Sequence, residues 1–526
     1  MHYSFRIVNL VLAASLTLAA CSEEHSPASY AVEEVSLSQI SADLAAGKTT
    51  SAEITKAYIA RINAYDDALN AVILISPDAH QQADAPDARR AAGNILSPLD
   101  GVPILLKDNI DVFGMPTTAG SFALENNFPI RNSEVAERLH AGGAIILGKV
   151  NTNQFAGLRT TAGLLGSTVG GTPHNPYDLS RSPGGSSNGS AIAAAVSFAA
   201  ATVGTCTTGS VISPSALNGL VGMRPTIALI SRRGIVPVSL TQDTAGPMAR
   251  NVMDAAMLLT VIAGSDPGDP NSKDADAFKT DYAKGLSLDA LKGKRLGVMR
   301  EMRGYDTATQ PVFDAALEVL VSQGAELVEL PTDILEDLSQ EDRTVLVYDF
   351  KQDLNAYLAG TPSSVKVRNI TDLIAFNKAD PRESMHSQDL IEVAAATTGR
   401  DNPEYVEALE YAKRRAGPEG LDRAFSEYGV NAVVVLTTGP AEKIEPEGSV
   451  EAGHTISSRV KGATPASPSM NASLAGYPDL TVPMGHVDGL PVGLSFIGPA
   501  WSEQMILSLG YAYEQASHMR VPPQGF

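Results

Sequence analysis

Short apolar runs alternate with segments of helical period along most of the chain. The runs Val102–Leu106, Ala144–Val150, Ala201–Thr205, Arg295–Met299, Ala325–Leu330, Asn431–Leu436, Asp479–Pro483 and Val492–Ile497 are too short for helices and read as buried strands. The segments between them carry apolar residues three and four apart, which predicts helices. Thr50-Ser51-Ala52-Glu53 has the spacing of a capping box, so a helix opens there. Alternation of this kind predicts an α/β sandwich around a mostly buried sheet. From about Asp333 to Ser426 the pattern changes to charged, helical in period and poor in strand runs, which suggests a helical subdomain or lid. The Ser/Gly-rich stretches Gly163–Gly171 and Ser180–Ser190 are too short for linkers, and there is no internal repeat.

Composition narrows the classes. The chain has 526 residues, 44% hydrophobic and 19% charged, which excludes a disordered or disulfide-stapled protein. Lys and Arg total 39 against 59 Asp and Glu, for a net charge of −20, and no basic run of five occurs. Such a surface repels phosphate backbones, so nucleic acid is not an expected partner. Arg6 precedes a run of small and apolar residues from Ile7 to Ala20, the pattern of a secretory signal. Leu18-Ala19-Ala20-Cys21 resembles the lipobox of bacterial lipoproteins, which predicts residues 1–20 as a cleaved signal, Cys21 as the acylated N-terminus and residues 21–34 as a linker. Ser22 after the Cys favours the outer membrane of a Gram-negative cell, facing the periplasm; ordinary cleavage would leave a soluble periplasmic protein. Apart from Cys21 there is only Cys206, so no disulfide framework or Cys-based zinc site is expected, and the nine His show no HExxH pairing to hold a metal.

Three places look unlike scaffold. Ser182-Pro183-Gly184-Gly185-Ser186-Ser187-Asn188-Gly189-Ser190 leads into the Ala-rich helical run Ala191–Ala201, gathering hydroxyls at a helix N-terminus, where negative charge is stabilised. Thr205-Cys206-Thr207-Thr208-Gly209-Ser210 follows a strand, which places Ser210 beyond a carboxyl end, where open α/β sheets carry their sites. A helix of about 11 residues travels about 16 Å and a strand of about five returns the same distance, so Ser186 and Ser210 can meet at one edge. Lys107 ends the apolar run Val102–Leu106, and burial there lowers its pKa towards neutrality and makes a base of it.

These residues resemble the amidase signature hydrolases, which use a Ser-cisSer-Lys triad. The resemblance runs from about Ala46 to the C-terminus through GVPILLKD, GGTPHNP, SPGGSSNGS, GTCTTGS, GLVGMRPT, QDTAGPMAR and PVGLSFIGPAW, with the 24-residue interval between Ser186 and Ser210. Within the family, QDTAGPMAR and GPAWSE look most like bacterial peptide amidases. The resemblance implies one domain over residues 35–526, with a helical subdomain at about 333–426, built as an α/β/α sandwich around a large mixed, mostly parallel sheet. It implies hydrolysis of a carboxamide through an acyl-enzyme, without a cofactor. Ser210 would be the nucleophile, Ser186, after a cis peptide bond to Gly185, the relay, and Lys107 the base. Backbone amides of Thr207, Thr208, Gly209 and Ser210 would form the oxyanion hole, with Ser187 bracing the cluster.

Two positions depart from the pattern: Cys206 stands where the family usually has an acid, and Ile212 where many members have Arg. Cys206 as a nucleophile has no neighbouring His in sequence and reads as a buried filler. Gly185-Ser186-Ser187-Asn188-Gly189 also fits G-x-S-x-G, with Ser187 as nucleophile and His486 or His518 as base, but that elbow needs a strand before it and the preceding residues read as loop. Arg159, His174 and Asp243 either line a pocket or hold loops, and the structural role is favoured. The alternative from another class is a catalytically silent lipoprotein that binds a peptide or amide. Transamidation of charged tRNA, another family activity, fits badly with a secreted acidic chain. The expected partner is a small-molecule or peptide amide, with membrane contact only through the lipid, and oligomeric state is left open.

Overall fold

A computed structural model describes residues 30–159, 166–300, 305–384, 386–444 and 467–526. The predicted signal and Cys21 lie outside the described residues. Among the described residues, eleven strands form one sheet: β1 (Val72–Ile75), β2 (Pro103–Lys107), β3 (Ile145–Val150), β4 (Ala201–Cys206), β5 (Val221–Arg224), β6 (Thr244–Ala249), β7 (Arg295–Met299), β8 (Glu326–Glu329), β9 (Ala432–Leu436), β10 (Asp479–Val487) and β11 (Leu490–Ile497). Their spatial order is β1-β3-β2-β4-β6-β5-β10-β11-β9-β7-β8. All eight strands read from the sequence are present.

The sheet is mixed, as expected, but not mostly parallel. Six of its ten neighbour pairings are antiparallel and four are parallel. The three strands not foreseen account for much of the difference. β1 and β5 are four residues each, and β6 carries Gly246 and Pro247, which read as loop signals in a sequence. The β10–β11 hairpin turns through Asp488 (φ 51°) and Gly489 (φ 82°), an Asp-Gly pair with the positive φ angles that a tight two-residue turn needs.

Both faces of the sheet are covered, so strand residues sort by parity. In β9, Ala432, Val434 and Leu436 join the main core, while Val433 and Val435 join a second cluster with Ile334, Leu421 and Ile497. The helices Leu37–Ala45, Ser51–Tyr65, Val252–Ile262 and Glu503–Ser517 supply much of the main core. The capping box forms as read: Thr50 Oγ1 accepts from Glu53 N, and Glu53 Oε2 accepts from Thr50 N.

Between β8 and β9 the described chain runs through helices Ser339–Ala359, Ile370–Ala379, Asp389–Ala396, Pro403–Ala416 and Asp422–Glu427. They carry their own apolar cluster around Val345, Phe350, Leu354 and Ile391, into which Phe155 and Val238 reach from the loops above the sheet. A buried ion pair fastens this layer down. Arg159 Nη1 bonds Glu383 Oε2, both side chains being fully buried, and Glu383 also accepts from Ser121 Oγ, Phe122 N, Gln154 Nε2 and Thr168 Oγ1 at 2.8–3.1 Å. Arg159 therefore holds loops, as favoured from the sequence. Removing one partner strands the other charge, which typically costs about 3–5 kcal/mol. Arg159→Ala is expected to lose that much in denaturant unfolding. A loss below about 1 kcal/mol in Arg159→Ala contradicts the assignment.

Candidate active site

β2 and β4 run parallel, so their carboxyl ends finish at one edge, and Leu106 lies opposite Val203. Lys107 is the last residue of β2 and Thr205 the last but one of β4. The fully buried Nζ of Lys107 lies 2.7 Å from Ser186 Oγ, 2.8 Å from Thr205 Oγ1 and 3.3 Å from Thr205 O. Its chain neighbour, Asp108, does not neutralise it. Successive side chains on a strand point to opposite faces, and Asp108 pairs instead with Lys149 of β3 at 3.0 Å, also buried. Burial lowers the Lys107 pKa from its usual 10.5 to about 7, partly opposed by the Cys206 thiol and the Asp243 carboxylate.

The serine loop reaches this edge because the chain reverses in the interior. The helix Asn188–Ala195 is shorter than the Ala-rich run suggested; the chain turns at Ser197 (φ 57°) before β4 begins. All eight helix residues are buried. Gly189 makes that fit possible, since a Cβ there would stand 2.3 Å from Asn151 N and 2.5 Å from Ala71 O. Gly204 does the same for Ser187, whose Oγ would be 2.8 Å from a Cβ. Ser187 Oγ donates to Thr205 O at 3.0 Å and accepts from Thr205 N at 3.2 Å. Its hydroxyl is thus spent on the backbone of β4. Among the described residues no strand leads directly into it, so the G-x-S-x-G elbow lacks its structural setting. His486 instead packs on Tyr177, with ring centroids 6.1 Å apart, and His518 ends the helix Glu503–Ser517.

The peptide bond between Gly185 and Ser186 is cis. Ser187 N donates to Ser210 O at 3.2 Å, which ties the two serine loops together. Ser210 and Thr208 are half-buried, and Ser186 is buried. Gly209 N donates to Cys206 Sγ at 3.3 Å, which occupies one of the four expected oxyanion donors. Cys206 is a free, buried thiol in an apolar cluster with Ala191, Val211 and Met248, and Ile212 is buried at the start of the next helix. His174 Nδ1 contacts Leu179 O at 2.8 Å, a loop-holding role. Asp243 is nearer the chemistry: it accepts from Thr207 Oγ1 at 2.6 Å and from Val238 N and Ser239 N. Burial pushes its carboxyl up to about 6.

Two groups outside the residues marked in the sequence also reach the site. Thr205 contacts Lys107 and Ser187 and accepts from Asn109 Nδ2 at 3.0 Å. Arg224, at the end of β5, donates to Cys206 O, Thr207 O and Gln242 O. Both lie inside the family motifs, but only the strand order shows which atoms they reach. A narrow cavity lined by Asn109, Ala156, Thr205, Thr207, Val236 and Asp243 lies against this cluster.

Known proteins identify the family of this chain. The amidase family model matches residues 53–507. A "Probable amidase" of Arabidopsis thaliana is 32% identical over 99% of this chain and 98% of its own. A glutamyl-tRNA(Gln) amidotransferase polypeptide of Chloroflexus aggregans is 34% identical over 91% and 96%. The native peptide amidase of Stenotrophomonas maltophilia superposes with a TM-score of 0.85 at 40% identity, covering 93% of this chain and 98% of that one. An amidase family protein of Bacillus anthracis gives 0.82 at 32%, covering 94% and 93%. The chain belongs to the amidase family. It is an amidase on the amidase signature fold, a large mixed sheet flanked by helices.

The buried amine leaves a thermodynamic trace. Its folded pKa lies below its unfolded value, so between about 7 and 10.5 the unfolded state binds the extra proton and stability rises with pH. Relative to Lys107→Met, the wild type is expected to gain ~1.4 kcal/mol per pH unit across that window. Parallel stability curves for the two proteins from about pH 7.5 to 9.5 would mean that Lys107 is not desolvated.

Proposed function

We propose that the protein hydrolyses carboxamides through an acyl-enzyme made by Ser210, with Ser186 as proton relay and Lys107 as base. Ser210 Oγ bonds to the carbonyl carbon while its proton passes to Ser186 and the Ser186 proton to Lys107. The carbonyl oxygen becomes an oxyanion facing backbone N–H groups of the Thr207–Ser210 loop. The C–N bond then breaks as Lys107, through Ser186, returns a proton to the departing amine. Water repeats the sequence against the ester and releases the acid.

The observation that carries this reading is the 2.7 Å contact between Ser186 and a buried lysine whose pKa falls to about 7. An amine poised there accepts a proton at neutral pH and gives it back. Oxyanion donors from Thr207, Thr208 and Ser210 fit the N–H groups of the loop that have no acceptor among the described residues, and Ser187 braces it through Thr205. The likeness to a peptide amidase makes C-terminal peptide amides the first substrates to try, followed by fatty amides and anilides. Ser210→Ala and Lys107→Ala are expected to retain the fold and lose ~10⁴-fold or more of amide turnover. A fluorophosphonate is expected to label the wild type and not Ser210→Ala. An unlabelled wild type that still binds amides would make the protein a silent binder.

The same proposal places the enzyme in a bacterial envelope, tethered through Cys21. Its support is the run of small and apolar residues from Ile7 to Ala20 and the Leu18-Ala19-Ala20-Cys21 sequence. In a Gram-negative host, wild type is expected to incorporate labelled palmitate and sediment with membranes, and Cys21→Ala to do neither. Equal labelling of both proteins excludes the anchor.

A further inference from the structure

We infer that Arg224 is a positioning residue that sets the oxyanion-binding N–H groups of the nucleophile loop; the inference rests on Ser210 as nucleophile. Arg224 is fully buried at the end of β5. Its Nη1 donates to Cys206 O at 3.0 Å and to Thr207 O at 3.3 Å, and its Nη2 donates to Gln242 O at 2.7 Å. A planar fork held at three carbonyls fixes the peptide planes that carry them.

The direction of the N–H groups follows from covalent geometry. In a trans peptide the C=O of one residue and the N–H of the next point to opposite sides, and the peptides following Cys206 and Thr207 are trans. With both carbonyls drawn towards the guanidinium, the N–H groups of Thr207 and Thr208 point away from it. Arg224 approaches from the interior, Thr207 is buried and Thr208 and Ser210 are half-buried, so the two N–H groups point from the guanidinium towards the half-buried side of the loop. Neither has an acceptor among the described residues.

Two further contacts hold the same loop. Asp243 accepts from Thr207 Oγ1 and lies next to Gln242, whose carbonyl Arg224 also holds, so one arginine and one carboxylate grip Thr207 from two atoms. Asp479 of β10 lies opposite Arg224 in register and accepts from Ser469 Oγ at 2.8 Å. Ser469 in turn packs against Gly209, where a Cβ would be 3.3 Å from the Ser469 Cβ. The β5–β10 pair thus buttresses both ends of the Cys206–Gly209 turn.

An oxyanion donor acts in the transition state more than in substrate binding, so its misalignment lowers kcat and spares KM. Arg224→Met and Arg224→Lys are to be compared with wild type on whichever peptide amide, fatty amide or anilide wild type hydrolyses fastest, with a peptide aldehyde as inhibitor. Arg224→Met is expected to lose about 10²–10³-fold in kcat, to keep KM within about threefold, and to bind the aldehyde more weakly by the same factor as kcat falls. It should still react with the fluorophosphonate at Ser210, more slowly. Arg224→Lys restores a charged N–H donor group and is expected to recover part of kcat. Wild-type kcat in Arg224→Met, or a rise in KM with aldehyde affinity unmoved, overturns the inference. If Arg224→Met does not fold, Arg224→Lys decides: a lower kcat at unchanged KM supports the role, and unchanged kcat overturns it. Full activity of Ser210→Ala, or a wild type that neither turns over an amide nor takes the label, is a separate failure, that of the nucleophile assignment.

Discussion

The site depends on one lysine being buried with no carboxylate beside it among the described residues. Two lysines lie at the carboxyl ends of neighbouring parallel strands, Lys107 on β2 and Lys149 on β3, with Asp108 directly after the first. Strand alternation decides which lysine the acid neutralises. Lys149 stands opposite Leu106 and Lys107 opposite Val150, so Lys149 shares a face with Leu106 and Asp108, while Lys107 is on the other. Asp108 pairs with Lys149, and Lys107 is left with hydroxyl and carbonyl oxygens. A register shift of one residue would take Lys149 off the face that Asp108 occupies and leave that carboxylate without its partner.

Close backbone approach serves the same end. Lys107, Ser186 and Thr205 meet because a wholly buried helix butts against the neighbouring β3 loop at Gly189, and because β4 leaves room for Ser187 at Gly204. A methyl group at either position would press the serine loop off the strand ends. Ser187 then fixes the loop by a two-way bond to the Thr205 backbone, which leaves Ser186 as the hydroxyl turned to the lysine. The local chemistry is therefore packing-limited: the hydroxyls sit where small residues allow the backbone to come.

The helical layer between β8 and β9 is fastened by a buried ion pair as well as by apolar contact. Glu383 accepts from side chains and backbone of the loops that also supply Phe155, and Phe155 in turn packs into the apolar cluster of the layer. Charge and packing therefore act on the same loops, which gives Arg159 its structural meaning. Ala156, the next residue along, lines the cavity beside Thr205, so the fastening of the layer and the wall of the site share one short stretch of chain.

The sequence by itself determined the eight strands of the apolar runs, the capping box at Thr50, the family motifs, and Lys107, Ser186 and Ser210 as the residues to watch. Those features are local: periodicity, caps and motif spacing involve residues within a few positions of one another. Tertiary structure alone decided that most pairings of the mixed sheet are antiparallel, because β5, β6 and β1 are short or contain Gly and Pro and become strands only when neighbours supply their hydrogen bonds. It also decided which acid meets which lysine, that Cys206 takes the Gly209 N–H, and that Arg224 reaches the carbonyls of a loop 17 and 18 residues before it. Those outcomes depend on register and on distances between chain segments far apart in sequence, which no local pattern encodes.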